Sequence, residues 1–250
     1  MSTATADAVA AQFQRDGFVI LESVFSAAEL DPIAEEIQRV IDGRVDYVPD
    51  SDRIYEPGSD PPRLRNAFRL HQYNPFFLEV ARHPRMVEVM ENLLGAPLRL
   101  YGSQLFAKPA RVGTAVPLHQ DMPYWPFDPP ELISAWIALD DSSVANGCVR
   151  FVPGSHRLGM LPHAASGVKG NSLGMEPNAQ IEALGEVPVE VRRGSVVLHH
   201  CLTAHRSEPN SSEHMRRGLI YVYMSSQVRL ADPSKIKGAI DFPEIHHATS

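Results

Sequence analysis

Cysteine is almost missing from this chain. Cys148 and Cys201 are the only two in 250 residues, which excludes a disulfide framework and favours two reduced thiols in a cytoplasmic protein. Long apolar runs are missing as well. No stretch approaches the roughly 18–20 residues that a bilayer span requires, and the opening residues Met1 to Ala10 lack the basic segment and apolar core of a signal peptide. Basic blocks are absent too: 23 Lys and Arg stand against 30 Asp and Glu, a net charge of −7. That balance argues against nucleic acid and against an anionic membrane surface as partners. There is no internal repeat and no low-complexity tract.

What is present is ordinary for a globular protein, with 44% hydrophobic and 21% charged residues. The length is ample for a sizeable core. A short helix over 6–16 ends at Asp16-Gly17, and Phe18 to Leu21 is a β-type run. Ser26 is placed to cap a helix over 27–42, with Glu29 at the capping-box position and Gly43 as its stop. Leu30, Ile33, Ile37 and Ile41 give that helix one apolar face. Residues 44–66 carry Asp46, Pro49, Asp50, Asp52, Pro57, Gly58, Asp60, Pro61 and Pro62, too many breakers for regular structure, so a surface loop or a flap is expected there. Residues 75–94 predict helix, broken near His83-Pro84 and stopped by Gly95.

The texture then changes to short β-rich runs at 98–108, 132–139, 148–152, 187–191, 195–201 and 217–224. Asn146-Gly147 marks a tight turn between two of them. The spacing suggests a sandwich, barrel or jelly roll. We expect one domain: a helical flank over 1–96 packed on a β-core over 97–228, with a C-terminal extension over 229–250.

His119-Gln120-Asp121 is the stretch with the most chemical content. In extended backbone residues i and i+2 point to one side, so an imidazole and a carboxylate could hold one metal ion. Alone the pattern is common, and a turn histidine bonded to a nearby carboxylate is its bland explanation. With a second, distant histidine it becomes the facial triad that leaves three positions open on non-haem Fe(II). His205 is such a histidine. His199 and His200 adjoin in sequence, point to opposite strand faces and are assigned structural roles. Arg216 and Arg217 also point oppositely; one must face the interior, where a buried guanidinium needs an anion. The strand Leu132 to Leu139 splits into an apolar face (Ile133, Ala135, Ile137, Leu139) and a mixed one. Trp136, on the mixed face with Ser134, is either core filler or the lining of a co-substrate pocket.

Several runs together resemble one family. They are Arg15-Asp-Gly-Phe-Val-Ile-Leu21, Lys108-Pro109, Pro117-Leu-His-Gln-Asp121, Ala135-Trp-Ile-Ala-Leu-Asp140, Asn146-Gly-Cys148, Val152-Pro-Gly-Ser-His156 and His205-Arg-Ser207, followed by Arg216. In this order and spacing the chain resembles the phytanoyl-CoA dioxygenase family of Fe(II)/2-oxoglutarate oxygenases along most of its length. The resemblance implies a mainly β fold, a double-stranded β-helix (jelly-roll, cupin-like) core with flanking helices. It implies iron held by His119, Asp121 and His205, and the far carboxylate of 2-oxoglutarate held by Arg216, with Ser207 beside it. Trp136 and Gln104 fall at positions that line the co-substrate pocket.

The implied reaction consumes O2, converts 2-oxoglutarate to succinate and CO2, and oxidises a small organic substrate. Halogenating relatives lack the iron-binding carboxylate; Asp121 is retained, which favours hydroxylation, with desaturation, epimerisation or cyclisation as tailoring alternatives. From other classes, the rivals are a non-catalytic jelly-roll metabolite-binding protein and a zinc hydrolase using the same three ligands. No basic clamp for coenzyme A phosphates is evident, so an acyl-CoA substrate is not carried over. The pocket loops expected are 44–75, 122–131 and 157–180, the last with His163, Lys169, Gly170 and Asn171; His71 and Tyr73 are weaker guesses. A monomer or homodimer is expected.

Overall fold

The structure is a computed structural model, and it describes residues 3–235 and 242–246. In chain order the elements begin with α1 (Thr3–Asp16), β1 (Phe18–Leu21), α2 (Ala27–Ile41), β2 (Arg53–Tyr55) and β3 (Leu64–Phe68). Three helices follow, α3 (Leu70–Tyr73), α4 (Pro75–Ala81) and α5 (Pro84–Leu94), then β4 (Leu98–Lys108) and β5 (Val116–His119). Next come β6 (Phe127–Asp128), β7 (Leu132–Ala138), β8 (Val149–Phe151), β9 (His163–Val168), β10 (Asn171–Met175) and α6 (Ala179–Leu184). The chain closes with β11 (Val187–Pro188), β12 (Val196–His200), β13 (His205–Ser207), β14 (Arg216–Ser225), β15 (Arg229–Leu230) and β16 (Glu244–Ile245).

Two antiparallel sheets make the jelly roll. The major sheet runs β1-β12-β7-β14-β4-β3-β2, with β16 against β4, and the minor sheet runs β11-β8-β13-β5. Strand alternation sends one set of side chains from each major strand outward, beneath the helices, and the other set inward, toward the minor sheet. The outward set includes Ile133, Ala135, Ile137, Leu198, Leu219 and Tyr221, all in one cluster with Leu30, Ile33 and Ile37 of α2. Each such aliphatic side chain contributes about 1.5–3 kcal/mol on full burial. Tyr221 and Tyr223 also donate hydroxyl hydrogen bonds to the carbonyls of Phe77 and Ala81, at 2.8 and 2.6 Å, which ties β14 to α4.

Local chemistry accounts for most helix ends. Ser26 accepts from the Glu29 amide while the Glu29 carboxylate accepts from the Ser26 amide, the reciprocal cap expected from the sequence. Gly43 then takes φ +67 and stops α2. The α4–α5 break falls at His83, with Pro84 opening the second helix.

Two expectations need correction. Residues 44–66 are not wholly irregular, because β2 and the start of β3 form a hairpin that pairs onto β4 at the edge of the major sheet. Pairing with an existing sheet outweighs the poor strand propensity of this segment. Asn146-Gly147 does turn the chain, with Gly147 at φ +75, but the flanking β7 and β8 lie in different sheets instead of pairing. Among the described residues, no helix is long and apolar enough to cross a membrane, and both cysteines are buried free thiols.

Candidate active site

The inward faces of the two sheets enclose a cavity of about 410 Å³. His119 ends β5 and His205 opens β13, and antiparallel pairing sets the two opposite each other, with ring centroids 4.2 Å apart. Each ring is oriented by the carbonyl two residues earlier: Nδ1 of His119 lies 2.8 Å from the Pro117 oxygen and Nδ1 of His205 lies 3.0 Å from the Thr203 oxygen. Both Nδ1–H groups are therefore donors, and both Nε2 lone pairs face the cavity. Asp121 follows β5, its amide bonded to the Cys201 carbonyl at 3.0 Å. Its Oδ1 stands 3.7 Å from Nε2 of His119 and 3.8 Å from Nε2 of His205. Two metal–ligand bonds of roughly 2 Å span such gaps. Gln120 points away and is held by the Gly159 and Leu202 carbonyls.

The electrostatics suit a divalent ion. Burial, then the His119 ring, push His205 down to about 3, and burial also lowers His119, so both are neutral ligands near pH 7. Burial alone would disfavour a charged Asp121; the His199 hydrogen bond and the neighbouring imidazoles outweigh it and hold the carboxyl well below its usual range. His119, Asp121 and His205 form a cluster whose ligand atoms lie within 4.8 Å of one another. Two neutral nitrogens and one anionic oxygen make up the donor set of a facial triad, and that set fits Fe(II).

Arg216 separates from Arg217 as strand alternation requires. Arg217 turns outward, bidentate on Asp140 at 2.9 and 2.7 Å. Arg216 turns inward, is 3% exposed, and its Nε and Nη1 have no hydrogen-bond partner. Burial pulls its pKa down to about 10. Its guanidinium lies 5.4 Å from the Trp136 ring centroid. Nearby Lys108 is pushed down to about 6, first by burial and then by Arg216 and Arg65. Lys108 donates to the Thr114 carbonyl, whereas Arg216 keeps orphaned donors in the cavity lining; that guanidinium requires an anion, and the far carboxylate of 2-oxoglutarate fits its fork.

Gly218 makes room for the indole, since a Cβ there would fall 1.9 Å from Trp136 Nε1. Ser207, Trp136 and Gln104 all line the same cavity. Trp136 also packs in a cluster with Phe18, Ala138, Phe151 and Val197, so it fills the core and borders the cavity at once.

Other expectations divide. Residues 157–180 are not a bare loop: β9 and β10 form a hairpin whose Gly170 and Asn171 line the cavity, and Lys169 is not among the lining residues. His163 instead accepts from the Gln120 amide at 3.0 Å and braces the ligand segment. His71 is buried against Ser103 at 2.8 Å, and Tyr73 donates to Asp52 at 2.7 Å, so both take the packing role.

Sequence reasoning missed two contacts. Tyr124 spans to the hairpin, its hydroxyl 3.0 Å from the Leu173 oxygen and 2.9 Å from the Leu173 nitrogen. Its place in an aromatic run beside the triad was the available signal. His199, assigned a structural role, faces the cavity with Nε2 3.0 Å from Asp121 Oδ2. His200, on the opposite face, packs with Phe13 and His156.

This fold and this site define a 2-oxoglutarate-dependent non-haem iron dioxygenase. The family model described as phytanoyl-CoA dioxygenase matches residues 13–218, and the chain belongs to that family. Among curated proteins it is 30% identical to an ectoine dioxygenase of Bordetella parapertussis, over 91% of this chain and 79% of the relative. Among solved structures it superposes on the non-haem alpha-ketoglutarate-dependent epimerase SnoN from nogalamycin biosynthesis, with TM-score 0.76 and 25% identity over 100% of this chain and 97% of that one. It also superposes on EctD from S. alaskensis with 2-oxoglutarate and 5-hydroxyectoine, with TM-score 0.75 and 25% identity over 92% and 78% of the two chains.

Proposed function

We propose that this protein hydroxylates a small organic molecule, with His119, Asp121 and His205 as the iron ligands and Arg216 as the anchor for the far carboxylate of 2-oxoglutarate. The observation that carries the reading is the orphaned, buried guanidinium of Arg216 inside the cavity that the metal cluster also faces. A zinc hydrolase would have no use for that anion site.

Bound iron supplies the oxidising chemistry, in which O2 and 2-oxoglutarate are converted to succinate and CO2 as substrate is oxidised. The chain's own residues do the rest. The two neutral imidazoles and one carboxylate would hold the iron, as a facial triad that would leave positions for co-substrate and O2. Arg216 fixes the co-substrate at its far end, with Ser207 beside it and Trp136 flanking the guanidinium. The apolar walls from Phe106, Phe151, Val197 and Val222 keep the site dry.

Phe68, Arg69, Gln72, Tyr101 and Trp125 also line the cavity, and we assign the substrate to them. Apart from Arg216, the cavity's arginines are already engaged: Arg69 is paired with Asp52, and Arg206, also in the lining, with Glu186 and Glu208. A phosphate-rich substrate such as a coenzyme A ester finds no other unpartnered cation there. The similar proteins include an ectoine dioxygenase and an epimerase from nogalamycin biosynthesis, and tailoring oxidation of a small molecule is the second reading.

The test is succinate formation by the purified protein with Fe(II), 2-oxoglutarate and O2 across a metabolite library. Turnover is expected with some member, and Asp121→Ala is expected to abolish it. Full activity in Asp121→Ala, or hydrolytic activity indifferent to O2 and 2-oxoglutarate, refutes the assignment.

A further inference from the structure

The metal cluster leaves one neighbouring imidazole without a role. His199 on β12 stands in register with Ser134 on β7, so both side chains leave the major sheet toward the cavity. Both end on one atom. His199 Nε2 lies 3.0 Å and Ser134 Oγ 2.9 Å from Oδ2 of Asp121. The other carboxylate oxygen, Oδ1, is the one turned toward His119 and His205. Asp121 thus has one oxygen engaged by two donors and one aimed at the metal position.

We infer that His199 is a positioning residue which, with Ser134, pins Oδ2 of Asp121 so that the carboxylate offers the metal a single oxygen. The inference rests on the iron reading above and deepens it. A carboxylate can bind a metal through one oxygen or two. Here a second would occupy one of the three positions that co-substrate and O2 must share. To swing into two-oxygen binding, Oδ2 has to abandon both donors. His199 is 5% and Ser134 1% exposed, so little water can replace the lost bonds.

The tautomer follows from the surroundings. Nδ1 of His199 is buried without a partner. A proton there would be stranded while a lone pair on Nε2 faced the carboxylate, so the proton sits on Nε2 and is donated to Oδ2. Phe151, with its ring centroid 5.2 Å away, packs on the imidazole and restrains its plane. A histidine that only filled space would be replaceable by an aromatic ring of similar size.

The test compares His199→Phe, His199→Gln and Ser134→Ala by anaerobic Co(II) titration and by the visible charge-transfer band of the Fe(II)/2-oxoglutarate complex. Loss of such a supporting hydrogen bond weakens metal affinity by roughly 10–100-fold, and that loss is expected for His199→Phe, together with a shifted band. His199→Gln, whose amide N–H can take the place of Nε2–H, should recover most of the affinity and the original band. Native Co(II) affinity and an unshifted band in His199→Phe overturn the inference, as does a Gln variant no better than Phe. Should His199→Phe fail to fold, Ser134→Ala decides: weaker Co(II) binding supports the role and unchanged binding overturns it. If the unaltered protein binds neither Co(II) nor Fe(II), the iron reading fails first, which separates the two failures.

Discussion

Replacing Arg216 by methionine should move stability and co-substrate binding in opposite directions. In the ligand-free protein this guanidinium is 3% exposed, with Nε and Nη1 unpaired. Its cation–π contact with Trp136, at 5.4 Å, returns about 2 kcal/mol when desolvated, short of the cost of burying an unpaired charge. Exchanging buried charged groups for apolar side chains of similar volume is often neutral or stabilising by about 1–4 kcal/mol. We therefore expect Arg216→Met to raise the melting temperature of the ligand-free protein. Each kcal/mol is worth about 2–4 °C for a chain of this size.

With 2-oxoglutarate the sign reverses. Truncating one side of a buried charged contact costs about 2–5 kcal/mol, roughly thirty-fold to several-thousand-fold in Kd at 1.4 kcal/mol per decade. The assay is thermal unfolding of metal-loaded protein under argon, with and without 2-oxoglutarate. Native protein should gain stability as co-substrate is added, whereas the variant should not respond. A variant less stable than native when ligand-free, yet still stabilised by 2-oxoglutarate, would refute the assignment of the anion site.

Gly218→Ala should displace the Trp136 indole, because the added Cβ would meet its Nε1 at 1.9 Å; altered tryptophan fluorescence and weaker 2-oxoglutarate binding are expected, with a native spectrum as the contrary result. His200 is lowered from 6.5 to about 4, mainly by burial and secondarily by His156 and His199. Between those values the unfolded chain binds the proton and the folded one does not, so stability is full above pH 6.5 and falls as pH drops toward 4, by up to ~3 kcal/mol. Urea unfolding at pH 7 and pH 5 should show a smaller loss in His200→Phe than in native protein, and equal losses would contradict this. Tyr124→Phe removes the hydroxyl bonded to both polar backbone atoms of Leu173, so amide exchange over β9 and β10 should accelerate, and unchanged protection would show that the latch contributes nothing.

The parts legible in the sequence are those fixed by local chemistry or by strand parity. Ser26 and Glu29 announce the α2 cap from three residues of spacing, and the structure shows both bonds. Parity separated the two faces of β7, and it split Arg216 from Arg217 and His199 from His200. Short strands were less visible. β5 and β13 have four and three residues, and Pro117 cannot donate to a ladder. They exist because each finds a partner across the minor sheet, and that pairing is what places His205 opposite His119. β2 and β3 are likewise strands by virtue of β4, which no local composition of Asp and Pro could announce.

His199 shows where parity stops. Alternation states that adjacent imidazoles part company; it does not say which one meets the metal ligand. That choice is made by the register of β12 on β7, where His199 stands opposite Ser134 and His200 opposite Ile133. A slip of one residue would exchange the two faces: His200 would turn toward Asp121 and His199 toward Phe13. The apolar residues Val196 and Leu198, 0% and 1% exposed beneath the helices, oppose that slip, since it would turn them into the cavity. The burial that stabilises the outer face of the sheet thus also selects the imidazole that reaches Asp121, more than seventy residues away in the chain.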